Sequence, residues 1–64
     1  MTKEMIANRK RGIMLQIENL DADIKVYMTS SDETDKEMAK LAIEQKNHLF
    51  QMYGKLEAME LDAE

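Results

Sequence analysis

Thr29-Ser30-Ser31-Asp32, running into Glu33-Thr34-Asp35-Lys36-Glu37, is the stretch on whose reading the fold depends. Four short polar residues stand together near mid-chain. Such side chains bond to nearby backbone and so favour caps and turns over helix interiors. Thr34 and Glu37 have the spacing of a capping box, in which the hydroxyl and the carboxylate each accept from a free amide at a helix start. Ser30 and Glu33 offer the same spacing four residues earlier. Asp32, Glu33 and Asp35 would all lie at the positive end of the helix dipole. The reading is a turn over 29–32 between a helix over about 3–28 and a second over about 33–61, in one domain spanning 1–64. One unbroken helix is the competing reading, and it would have to hold four turn-forming residues at its centre.

On either side of the turn the apolar residues step by four and three. The first helix carries Ile6, Lys10, Ile13, Ile17, Leu20, Ile24 and Tyr27, widened by Met14 and Met28. The second carries Met38, Ala42, Gln45, Leu49, Met52, Leu56 and Met59, with Leu41 and Tyr53 alongside. This is the seam of a coiled coil. Each segment is about 40 Å long at 1.5 Å per residue, so a short turn makes them an antiparallel αα-hairpin. Folding about residues 30–31 makes facing positions sum to roughly 61. Leu20 then faces Leu41 and Ala42, Ile13 faces His48 and Leu49, Ile24 faces Met38, and Gly54 faces Ala7 for close approach.

The expected fold class is therefore all-α, a helical hairpin pairing with a second copy into a four-helix bundle. The chain has 64 residues, 44% of them apolar, with no Pro, Cys or Trp. A lone two-helix unit of that size buries one stripe per helix and leaves the rest wet. A homodimer is expected, with Ile13, Ile17, Leu20, Ile24, Met38, Leu41, Gln45, Leu49, Met52 and Leu56 in its core. Completion of the fold by a different protein is the second reading. The seven Met residues suit adaptable packing in such a core.

Composition excludes several chemistries. Without Cys there is no disulfide framework, thiol nucleophile or Cys-ligated metal. His48 is the sole histidine, and the residue three before it is Gln45, so the Glu-x-x-His pair of a bundle metal site is missing. No nucleophile–His–carboxylate set and no phosphate-cradling Gly loop occur. No catalytic residue, cofactor or metal is expected. No apolar run reaches the length of a membrane span, and Arg9-Lys10-Arg11 interrupts the N-terminal region where a signal peptide would be apolar, so a cytoplasmic location is expected.

The layout, a hairpin of this length with a mid-chain polar turn and an acidic C-terminal end, resembles the Rop family of plasmid copy-number regulators. The resemblance spans the whole chain in architecture, with Met1-Thr2-Lys3 and Leu20-Asp21-Ala22-Asp23 as short local matches. It implies an antiparallel dimer of hairpins and binding of paired RNA loops through one helical face. The aromatic residue that family uses on its first helix has no counterpart here, because Tyr27 lies at the turn end and Phe50 lies on the second helix. No RNA-binding residue is carried over.

Three features are candidates for function. Leu15, Ala22 and Val26 project almost opposite the seam of the first helix, and Ile43, Phe50 and Leu61 lie well away from that of the second. They are candidate partner-binding residues, with Phe50 the expected anchor. Arg9, Lys10 and Arg11 are candidate phosphate contacts, although pairing with Glu57, Glu60, Asp62 and Glu64 accounts for them more simply. The acidic turn end, Asp21, Asp23, Asp32, Glu33, Asp35 and Glu37, is explained by capping and solubility and lacks the spacing of a calcium loop. Overall the net charge is −4, which repels nucleic acid.

The favoured expectation is a non-enzymatic regulator or adaptor from a virus, plasmid or other mobile element, acting by protein–protein binding. RNA binding through the basic cluster and a purely structural oligomer are the alternatives. Gln45 is read as a polar seam residue that sets register or partner choice. Gln45→Leu should raise stability and loosen that choice, as read by denaturation and sizing; no change in either contradicts this role.

Overall fold

The computed structural model describes residues 2–62. Met1 of the opening tripeptide and Glu64 of the acidic end lie outside the described residues. Two helices, α1 (Lys3–Thr29) and α2 (Glu33–Asp62), pack side by side as a helical hairpin. Ser30 to Asp32 break the helix, so the unbroken rod does not form.

The caps follow from the short polar residues, with one correction. Thr2 is extended, and its hydroxyl accepts from the Met5 amide at 3.2 Å. At the other end of α1 the Thr29 hydroxyl donates to the Val26 carbonyl at 2.8 Å, and the Ser30 amide donates to the Tyr27 carbonyl. The start of α2 is capped by Asp32 rather than by a box beginning at Thr34 or Ser30. The Asp32 carboxylate accepts from the Thr34 amide at 2.8 Å, and its carbonyl accepts from the Lys36 amide. The Ser30 hydroxyl in turn accepts from the Asp32 amide at 3.1 Å. A carboxylate caps better here than a Thr hydroxyl two residues further on, because it bonds the free amide and also faces the positive end of the dipole.

The seam of α1 is the expected one, except that Met28, expected to widen it, points to solvent at 67% exposure. Ile6, Ile13 and Ile17 are buried, and Lys10, Leu20, Ile24 and Tyr27 are half-buried. The seam of α2 is rotated. Its covered positions are Asp35, Ala39, Ala42, Lys46, Leu49, Tyr53, Leu56 and Glu60, again stepping four and three. The expected line shares Ala42, Leu49 and Leu56 with it. Met38, Gln45, Met52 and Met59 fall one residue short and stay exposed. The pairing register differs as well. The ion pairs Lys46–Asp21 and Lys10–Glu57 join positions that sum to 67, not 61. The predicted approach of Gly54 to Ala7 is absent, since a Cβ on Gly54 would meet nothing within 4 Å.

Charge explains the choice. Two overlapping stripes on α2 compete for α1, and each offers three shared aliphatic positions. Only the rotated one sets Lys46 beside Asp21 and Glu60 beside Lys10, so their apolar stems cover the seam while the charged ends pair. The core that results is small: Ile6, Ile13, Ile17 and Leu56, with Leu49 and Tyr53 against it. The hairpin is a rod of 50 × 14 × 12 Å between Cα atoms. Its radius of gyration is 14.7 Å, against about 11 Å for a compact domain of this length.

Asp32→Ala should cost about 1 kcal/mol in denaturant unfolding, whereas Thr34→Ala should stay within about 0.5 kcal/mol. Gly54→Ala, a helix-interior change into open space, should gain about 1 kcal/mol.

Candidate interaction surface

The rotated seam gives the rod two unlike long faces. One face is closed by charge. Lys46 Nζ lies 2.6 Å from Asp21 Oδ1. Lys10 Nζ lies 3.1 Å from Glu60 Oε1 and 3.7 Å from Glu57 Oε1, and 5.1 Å from the centre of the Tyr53 ring. Lys10 is the most enclosed of these ions, with its side chain 17% exposed. The hydrogen bond to Glu60 raises its pKa above the ordinary lysine value; desolvation opposes the rise, and the charges of Glu60, Tyr53 and Glu57 add to it. Arg9 and Arg11, its neighbours in sequence, are exposed and enter no ion pair among the described residues. The pairing expected for the basic cluster therefore belongs to Lys10 alone within the described residues.

The opposite face is open. A groove of about 580 Å³ runs between the helices there, with Leu20 and Leu49 on its floor and Gln16, Glu44, Gln45 and His48 on its walls. Met38 and Met52 continue the Gln45 line at seven-residue spacing, and Met59 extends it. These three methionines are 40–44% exposed and Leu41 beside them is 53% exposed. So of the expected dimer-core residues, Ile13, Ile17 and Leu56 are buried within one hairpin, and Leu20, Ile24 and Leu49 are partly covered. Met38, Leu41, Gln45 and Met52 face water. Three of the expected partner-binding residues occur on each helix. Leu15, Ala22 and Val26 are exposed on the back of α1. Ile43 at 38% and Phe50 at 47% flank the ion-paired edge of α2, and Leu61 is 86% exposed near its end.

Among the described residues no three of His, Cys, Asp and Glu are grouped so as to hold a metal ion, and no helix is long and apolar enough to cross a membrane. No buried side-chain polar atom among them lacks a partner. The groove is lined by three of the residues expected in a dimer core, Leu20, Gln45 and Leu49, together with Gln16, Asn19, Glu44 and His48, which no sequence pattern singles out for it. Comparison with family models, with curated proteins and with solved structures finds no match.

The raised pKa of Lys10 has a definite sign. A folded value above the unfolded one stabilises the hairpin fully below the ordinary 10.5 and is lost as pH rises through the folded value. Denaturation followed from neutral pH to beyond 10.5 should show a steeper alkaline decline for the native chain than for Lys10→Met.

Proposed function

We propose that this chain is a binding module, not an enzyme: a hairpin that assembles with a second copy into a four-helix bundle and presents its remaining apolar stripe to another protein. One observation carries the reading. Among the described residues eleven large hydrophobic side chains remain 38–86% exposed, while six side chains are buried. Solvent contact on that scale is a liability unless something covers it.

The surface area points the same way. The hairpin exposes 4991 Å². A folded monomer of 7.5 kDa exposes about 4,250 Å². Assembly uses one face, and Phe50 and Ile43 on the other edge of α2, with Leu15, Ala22 and Val26 behind α1, are left for an outside protein. A regulator or adaptor needs no more than this. The alternative, RNA binding through Arg9, Lys10 and Arg11, is weakened by the commitment of Lys10 to Glu57 and Glu60 and by the 200° that separates Arg9 from Arg11 around the helix.

Sedimentation equilibrium should give twice the 7.5 kDa chain mass, and the thermal midpoint should rise with protein concentration. A folded chain of single mass, with a midpoint independent of concentration, overturns the proposal. Binding to an outside protein should be lost on Phe50→Ala and should persist at high salt. Loss with salt and on replacing Arg9 and Arg11 instead would identify phosphate binding.

A further inference from the structure

We infer that the groove is a half-site for a divalent zinc ion: Glu44 and His48 of one hairpin supply two ligands, and the same pair of a second copy supplies the other two. This deepens the proposed self-association and rests on it. The first support is spacing. Glu44 and His48 stand four residues apart in α2 (Glu33–Asp62), so both project from one face of the helix, one turn apart. That is the separation at which a helix presents two ligands to one ion. Both line the groove and both are exposed. A carboxylate oxygen with an imidazole nitrogen suits zinc, whereas magnesium and calcium take oxygen ligands alone.

The second support is charge. Neither Glu44 nor His48 enters an ion pair or a side-chain hydrogen bond among the described residues. Glu44 is the one carboxylate in a groove that no Lys or Arg lines. Covering the floor, Leu20 and Leu49, with the same face of a second copy takes two carboxylates out of water with no protein cation to offset them. A divalent ion held between them removes that penalty, and the two imidazoles bind it as neutral ligands.

The third support is position. The register of 67 sets His48 level with Asn19. That level lies about 23 Å from either end of the rod at 1.5 Å per residue, and the rod is 50 Å long. A two-fold axis near mid-length therefore carries the pair of one copy to the level of the pair of the other, whichever way the two rods run. Two Glu and two His complete the four-ligand set of a structural zinc site. One hairpin alone falls short of it, since among the described residues no three such side chains are grouped.

The test is a titration of the untagged native chain with zinc chloride, followed by sedimentation and by the NMR signals of the His48 ring, which are unambiguous because it is the sole histidine. Zinc should bind at one ion per two chains and shift the His48 signals. At a free concentration about a hundred times its own dissociation constant it should tighten the dimer about a hundredfold. Magnesium chloride should do neither. His48→Ala and Glu44→Gln, both exposed and outside the hairpin core, should each abolish the zinc effect and leave the metal-free dimer intact. Zinc bound without a change in association, one ion per single chain, an undiminished response in His48→Ala or an equal response to magnesium would each overturn the shared site while leaving self-association standing. A chain that pairs only with zinc keeps the site and removes metal-free pairing. A chain that stays single with and without zinc overturns both.

Discussion

α2 carries more apolar side chain than one neighbouring helix can cover, and the rest of the architecture follows from that constraint. A helix packed against a single partner hides a stripe about two residues wide per turn. Here two adjacent stripes share Ala42, Leu49 and Leu56 and diverge on either side of them, one through Ala39 and Tyr53, the other through Met38, Met52 and Met59. Packing against α1 takes the first and leaves the second in water. A helix with two greasy flanks is suited to a bundle interior, between two neighbours.

The choice between the flanks is electrostatic at its margins. Exposed ion pairs contribute little to stability. They can still decide between two packings that bury similar apolar area. Lys10 and Lys46 lie in positions a heptad reserves for apolar residues, and each fills its place with a methylene stem while its ammonium reaches an acid across the seam. With these ions drawn to one face, the other is left with Leu20 and Leu49 between Gln16, Asn19, Gln45 and His48, and Glu44 is the one carboxylate lining it.

How far the sequence carried the fold can be seen residue by residue. The turn at Ser30 to Asp32 and both helices were legible because four cap-forming residues interrupt otherwise helical composition. The α1 seam was legible because Ile is concentrated on one line. The α2 seam was not, since Met and Leu count alike in a periodicity reading and the Met-rich stripe scores higher than one holding Ala39, Lys46 and Glu60. Asp21 and Lys46 held the missing information: matching opposite charges across the hairpin would have set the register at 67. The identity of the cap, Asp32 over Thr34, depends on a two-residue choice that spacing alone leaves open. Phe50, Ile43 and Leu61 were legible as displaced from the seam, and their exposure agrees with that, whereas the groove was not legible because it depends on which of the two α2 stripes packs against α1.

Small-angle X-ray scattering from the native chain tests the central claim most directly. Side-by-side pairing of two rods doubles the mass while keeping the particle close to the 50 Å length of one hairpin. The account predicts forward scattering of two chains with nearly unchanged maximum dimension. Scattering of one chain, or of two chains joined end to end at about twice the length, would contradict it.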